Sequence, residues 1–327
     1  TLSSVIETDS VCPDQLTLAL VHSIKGPWTV ERKNPNVLLL EYCRYRKDEQ
    51  DSWSDEYPIL AVQEKLTDEQ YIGPVYLQFS FKTAVFLDQL KLALESPEDC
   101  TIKLDGQPVD SAADGYYLAR EFACVPLPMS IRPGQHEIEI SRSFIPLLKA
   151  KSSLTSLFED LPGVELEALY LIGEFAVHSI TEPTHTNCIR LSNSFILAKE
   201  SNLCHAELVS SGYPFYAGTI VLHKTVHLNE SQVGKSGVYL ELDGFRACSA
   251  RIRVNGQDAG IVAWAPYRLD ISGFVVPGDN TISIELTNTL RNLLGPYHRP
   301  KGEFGECFFR GYGNYNKIGR ASCRERV

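Results

Sequence analysis

The sequence predicts an all-β protein, two tandem β-sandwiches joined through one helix. Short strands with period-2 alternation recur along the chain, glycine-bearing turn dipeptides separate them, and one ordered series of strands and turns occurs twice. In the later series, Val238, Leu240 and Leu242 fall on one face of VYLEL while Tyr239 and Glu241 fall on the other. ARIRV then points Ile252 and Val254 inward and runs into Asn255-Gly256, a dipeptide suited to positive φ at both centres of a tight hairpin. Pro277-Gly278 makes a second turn, and TISIEL aims Ile282, Ile284 and Leu286 one way. The earlier series has the same order: LKLALE, TIKL, Asp105-Gly106-Gln107, then Pro133-Gly134 and HEIEI. Two copies of one β-domain, with loops free to vary between them, account for this.

Taken in order, residues 1–15 read as a lead-in. LTLALV, Trp28-Thr29-Val30 and VLLLEYCRY read as strands, separated by Lys25-Gly26-Pro27 and Asn34-Pro35-Asn36. RKDEQDSWSDE reads as a surface loop, and PVYLQFSF, from Pro74 to Phe81, opens the first repeated core. Phe144, Leu147, Leu148, Leu154, Leu157, Phe158 and Leu161 recur at three- and four-residue spacing. They predict an amphipathic helix near 144–161, with Pro146 in its first turn. LEALYLIGEFAV, from Leu166 to Val177, returns to strand and is expected to complete the first sandwich, residues 1–180. The polar stretch from Thr181 to Asn187 then opens a second sandwich, 181–317, whose first strands are FILAKE and YPFYAGTIVLHKTVHL.

The last ten residues, IGRASCRERV, resemble a translated sequencing adapter and are left out of the fold. Without that tail's three arginines and one glutamate, the formal charge moves from −10 to −12. An acidic chain with no basic stripe argues against nucleic acid or an anionic membrane as partner. Its apolar runs are too short to span a bilayer. Cys12, Cys43, Cys100, Cys124, Cys188, Cys204, Cys248 and Cys307 are dispersed, with no CxxC pair, and read as buried thiols of a reducing compartment. That points to the cytoplasm, although Thr1 is not an initiator methionine and leaves an upstream export signal open.

Motifs of catalysis are missing. There is no GxSxG elbow, Walker loop or HExxH helix. Gly311-Tyr312-Gly313 lacks both a βαβ setting and the third glycine of a dinucleotide fingerprint. His178, His223 and His227 read as structural, and neither metal nor cofactor is expected. Glycosidases need two carboxyl groups flanking the scissile bond. Glu165 and Glu167 precede an apolar strand and read as solvated or edge residues, and Glu303 and Glu306 as part of a solvated loop. What remains is aromatic: Tyr213 and Tyr216 in GYPFYAG, Trp264 and Tyr267 in WAPYRLD, and Tyr297 beside His298. Planar rings with a polar edge suit a sugar's apolar face and hydroxyl rim, so these six are the candidate carbohydrate contacts. The alternative is that they pack over a sandwich end.

The run IRVNGQDAGIVAWAPYRLDISGFVVPGDNTISIELTNTLRNLLGP resembles the galactose-binding-like, jelly-roll sugar-binding domain of family-two glycoside hydrolases. With NLLGPYH and the upstream GYPFYAG, it is also similar to the carboxy-terminal part of large α-L-rhamnosidase-like bacterial hydrolases. Asn255-Gly256, Asp270, Gly278 and Asn280 match the turns of that pattern. The first copy has GYYLAREF where the second has APYRLDIS. The resemblance implies a non-catalytic accessory fragment of a bacterial glycoside hydrolase acting on plant or host glycans. It further implies a catalytic domain of the same parent chain, upstream, and an oligosaccharide or polysaccharide as partner. A free-standing carbohydrate-binding module and a ligand-free spacer are the alternatives, because fold alone does not assign function.

Overall fold

The computed structural model describes residues 3–8, 20–24, 26–127, 130–146, 163–180, 184–186, 189–191, 194–204, 207–233, 237–295 and 297–298. These residues are almost entirely strands and turns, as the alternation and turn dipeptides predict. The chain divides into two compact units, one made of Thr1–Asn36 with Glu200–Gly295, the other of Val37–Lys199 with Pro296–Val327. We call them the split unit and the inserted unit.

In the split unit a six-stranded sheet runs Leu203–Cys204, Trp28–Arg32, Thr219–Leu228, Gly278–Thr287, Ser249–Val254, Gln257–Val262. A four-stranded sheet runs Leu20–Ile24, Ser3–Thr8, Val238–Asp243, Arg268–Asp270. Alternate residues of both sheets supply its core, among them Ile220, Leu222, Leu240, Leu242, Ile252, Val254, Ile282 and Ile284. In the inserted unit the larger sheet runs Gln107–Val109, Thr101–Leu104, Gly134–Phe144, Gly73–Thr83, Phe195–Ala198, Ala176–Ser179, with Tyr42–Arg46 also paired to Gly73–Thr83. Its other sheet runs Tyr116–Tyr117, Ala119–Pro126, Lys91–Leu94, Leu169–Gly173, Asn36–Leu40.

The two copies share register as well as order. Ile138 stands opposite Leu104 and Ile140 opposite Ile102; Ile282 stands opposite Val254 and Ile284 opposite Ile252. Side-chain direction alternates along a strand, so this shared register puts equivalent apolar residues on the core face in both units. Both hairpins turn through two residues of positive φ, Asp105 (49°) and Gly106 (76°) in one, Asn255 (51°) and Gly256 (79°) in the other.

The structure corrects the sequence reading in four places. The boundary between 180 and 181 is not where the units part: Trp28–Arg32 pairs with Thr219–Leu228, and Ser3–Thr8 with Val238–Asp243, so the amino-terminal strands complete the later copy. Phe195–Ala198, read as opening the second sandwich, pairs with Ala176–Ser179 in the inserted unit. A helix at Ile59–Asp68 was not anticipated, although Ile59, Val62 and Leu66 are buried at helical spacing. It ends with Gln70 at φ 51°, while the amides of Gln70 and Tyr71 donate to the carbonyls of Thr67 and Leu66, a Schellman closure. Finally, the Leu127 amide donates to Leu90 O and the Ile271 amide to Val238 O, each at 2.8 Å. FACVPL, not GYYLAREF, is therefore the counterpart of PYRLDI. The helix expected near 144–161 lies outside the described residues except at its start, where Phe144 ends the strand Gly134–Phe144. The proposed adapter tail, 318–327, lies outside them entirely.

Among the described residues Cys43, Cys100, Cys124 and Cys204 are buried and Cys248 is exposed. Burial, reinforced by Glu56, pushes the Cys43 thiol up to about 12. No helix among the described residues is long and apolar enough to cross a membrane.

Candidate functional site

The four aromatic candidates of the split unit, Tyr213, Tyr216, Trp264 and Tyr267, do not form one site. Tyr213 and Tyr216 are 3% and 1% exposed, members of the core of the split unit. Their rings meet edge to face, with centroids 6.0 Å apart. Each hydroxyl is committed: Tyr216 donates to Thr219 O at 2.6 Å, and Tyr213 to Glu200 Oε1 at 2.7 Å. Glu200 also receives Arg32 through Nε at 2.5 Å and Nη2 at 2.6 Å, a bidentate pair whose guanidinium is nearly buried. Burial, then the hydrogen bond to Glu200, pushes the Tyr213 phenol well above its ordinary range. The GYPFYAG segment is thus a plug. Asn288 Nδ2 donates to Tyr216 O, and Gly218, at φ 145°, has Asn34 Oδ1 where a Cβ would stand. These tyrosines are withdrawn as sugar contacts, because reaching a ligand would require breaking the core.

Trp264 is the opposite case, at 79% exposed. It lies in the short segment 263–267 between Gln257–Val262 and Arg268–Asp270, and that segment is anchored on its far side. Tyr267 is half-buried, its ring tilted against Phe245 at 5.0 Å, and its carbonyl accepts the Leu242 amide at 2.8 Å. The next guanidinium, of Arg268, lies 3.9 Å from the centre of the Tyr239 ring. A loop pinned at its base therefore holds a large aromatic ring in water, with Ile261 also 54% exposed on the adjoining strand. Such a ring has left most of its apolar area unburied, which is the condition for a contact with something else. Tyr297 and His298 form a short parallel pairing with Arg190 and Leu191 in the inserted unit, apart from the other four in the division of the chain.

Sequence reasoning missed a second group. In the inserted unit Glu95, Glu165 and Glu167 line one cavity together with Arg142 and Cys100, over a floor of Leu77, Phe79, Leu94 and Ile140. Burial, then Glu95 and Glu165, pushes the Glu167 carboxyl up to about 7. By surface area, however, Glu165 and Glu167 are both exposed residues, in keeping with their reading as solvated, so solvent screens much of that effect. Burial, then Glu165 and Glu121, raises Glu95, against a smaller opposing pull from Arg142. The signal in the sequence was only the odd spacing of Glu165 and Glu167 about Leu166, and nothing local ties that pair to Glu95. The cavity, about 30 Å³, has room for a single water and not for a sugar ring. Among the described residues no three His, Cys, Asp or Glu side chains could hold a metal ion.

No protein-family model matches the chain. Over 86 residues it is 35% identical to a protein named "Putative beta-glucuronidase" from Formosa agariphila; the match spans 26% of this chain and 7% of that protein. Among solved structures, it is similar to a GH2 beta-galacturonidase from Eisenbergiella tayi bound to galacturonate, with TM-score 0.30, 13% identity, and coverage of 80% of this chain and 38% of that one. A rhamnosidase from a Novosphingobium species aligns over 85% of this chain and 24% of its own, with TM-score 0.24 and 17% identity. A beta-D-glucuronidase from Dictyoglomus thermophilum aligns over 79% and 39%, with TM-score 0.28 and 12% identity. The relatives so named are glycoside hydrolases, and the chain spans only a minor part of each.

Proposed function

We propose that this chain is a non-catalytic accessory part of a glycoside hydrolase, contacting carbohydrate through Trp264 while another domain of a longer parent chain, placed upstream, supplies the catalytic carboxylates. The observation that carries the parentage is the 86-residue match at 35% identity. Within that reading, Trp264 is the contact because its ring is bare and its loop is anchored. Tyr267 serves as the anchor of that loop rather than as a platform of its own. Chemistry supports the non-catalytic part of this reading: hydrolysis needs an acid and a base or nucleophile across a bound sugar, and among the described residues the grouped carboxylates of the inserted unit line a cavity of about 30 Å³, too small for a sugar ring.

Two measurements test this. Incubation of the protein with a panel of aryl glycosides, uronides and rhamnosides included, is expected to release no phenol; turnover abolished by changing one internal acidic pair would refute the accessory role. Calorimetric titration with oligosaccharides is expected to show binding that Trp264→Ala weakens by about 1 to 3 kcal/mol, with little change in melting temperature. Equal binding by the variant removes Trp264 from the site. A free-standing carbohydrate-binding module is the second reading, favoured by the same bare ring, and the parent reading frame separates the two: a barrel with two carboxylates supports the first, a cell-wall anchor the second.

A further inference from the structure

The segment Gly163 to Ala168 has no regular structure, yet four of its residues, Glu165 to Ala168, line the cavity of the inserted unit. Three bonds hold it: the Val164 amide donates to Ile145 O at 2.9 Å, the Leu166 amide to Gln63 Oε1 at 2.8 Å, and Gln63 Nε2 to Val164 O at 3.2 Å. Leu166, 3% exposed, is the apolar peg, and Leu169 beyond it begins the strand paired with Lys91–Leu94. Glu165 and Glu167 flank the peg, and Glu95, just past that neighbouring strand, faces the same cavity. Among the described residues the single cation lining it is Arg142, whose buried Nε has no hydrogen-bond partner among them. Three carboxylates against one guanidinium leave an excess of negative charge around an apolar floor, and like charges so placed cannot all ionise without cost.

We propose that the 163–168 strap is a pH-responsive latch of the inserted unit, seated when its carboxyl cluster holds a proton and loosened when Glu167 ionises against Glu95 and Glu165. Among the described residues, Glu121 acts on Glu95, Tyr170 and Cys100 border the carboxyls, Glu41 shares the surroundings of Tyr170, and Arg142 opposes the repulsion at Glu95. The sign follows from linkage. Glu167 releases its proton near 4.5 when solvated and at about 7 when the strap is seated, so the seated form holds the proton more tightly. Below that window both forms are protonated and the seat is fully favoured; as pH rises through it the advantage is lost. Nothing in this inference depends on sugar binding.

Hydrogen exchange on the intact chain tests it. The amides of Val164 and Leu166 would be followed at pH 5 and pH 7.5, corrected for intrinsic rates, with the strand Ser249–Val254 of the split unit as internal reference. The expected result is a strap opening about threefold or more greater at pH 7.5, with the reference unchanged. Glu167→Gln should abolish the pH dependence and hold the opening near its low-pH value, and Glu95→Gln should reduce it. A strap whose opening does not rise with pH, or rises equally in Glu167→Gln, overturns the proposal.

Discussion

The hairpin at Asp105-Gly106 and the hairpin at Asn255-Gly256 are the same backbone solved with different chemistry. In each, the first residue's amide donates to the carbonyl of the facing strand, Glu137 O at 2.9 Å or Thr281 O at 2.8 Å. In each, its side-chain oxygen receives the amide of that same facing residue, at 2.9 Å and 3.0 Å. They part at the second side-chain atom. Asp105 Oδ2 meets His136 Nδ1 at 2.7 Å, with the aspartate half open to water. Asn255 Nδ2 instead donates at 2.9 Å to Phe274 O and to Oδ1 of Asn280, a residue with no exposed surface. A carboxylate is tolerated where solvent reaches it, whereas a neutral amide that both donates and accepts is required beside a buried amide. The duplicated frame thus fixes the turn, and the partner beside it selects the residue: Asp105 and Asn255 are both exposed, but Asn255 faces the fully buried Asn280.

The same contrast holds for the segments that follow. In the split unit the chain crosses from Val262 to Tyr267 directly and leaves Trp264 in water. In the inserted unit the corresponding stretch is longer and folds back as the strand Tyr116–Tyr117 against Ala119–Pro126, with Tyr117 buried and Tyr116 60% exposed. Pairing consumed most of the loop there, so the two copies do not present equivalent surfaces.

The largest effect expected to distinguish the aromatics of the split unit is in Tyr216→Ala. Removing that ring from the core should cost about 3 to 5 kcal/mol in denaturant unfolding, against nearly nothing for Trp264→Ala. A small loss at Tyr216 would mean the plug is not part of the core. Next in size, Asn280→Ala strands the Val276 amide and the Asn255 Nδ2, which Asn280 Oδ1 now satisfies. About 3 kcal/mol should be lost, read as faster amide exchange in the strand Ser249–Val254. If Asn280→Ala costs no more than His136→Ala at the matching position, the two turns are alike after all. The smallest effects compare the turn residues themselves. Asn255→Asp sets a carboxylate against two acceptors and should cost about 1 to 3 kcal/mol, whereas Asp105→Asn should stay below about 1 kcal/mol. Equal losses in melting curves of the two variants would break the claim that the buried partner selected the residue.

The all-β class, the two hairpins and the inward sets such as Ile252 with Val254 and Ile282 with Ile284 were legible in the sequence. Alternation and positive φ are local requirements, met within a few residues. The helix Ile59–Asp68 was legible in principle, through Ile59, Val62 and Leu66, but it follows a polar insert of loop-like composition that masks its short period. Which sheet edge the strands Ser3–Thr8 and Trp28–Arg32 would close was not legible, because strand pairing across some two hundred residues leaves no period in the chain. Nor did composition separate Tyr213 and Tyr216 from Trp264: all three lie near a proline in a segment between strands, and only packing buried the first two and left the third in water. The gathering of Glu95 with Glu165 and Glu167 belongs to the same class. A sequence determines the direction each strand presents; which distant group stands opposite, and whether water lies between, is decided by the tertiary fold, since desolvation and charge repulsion act through space.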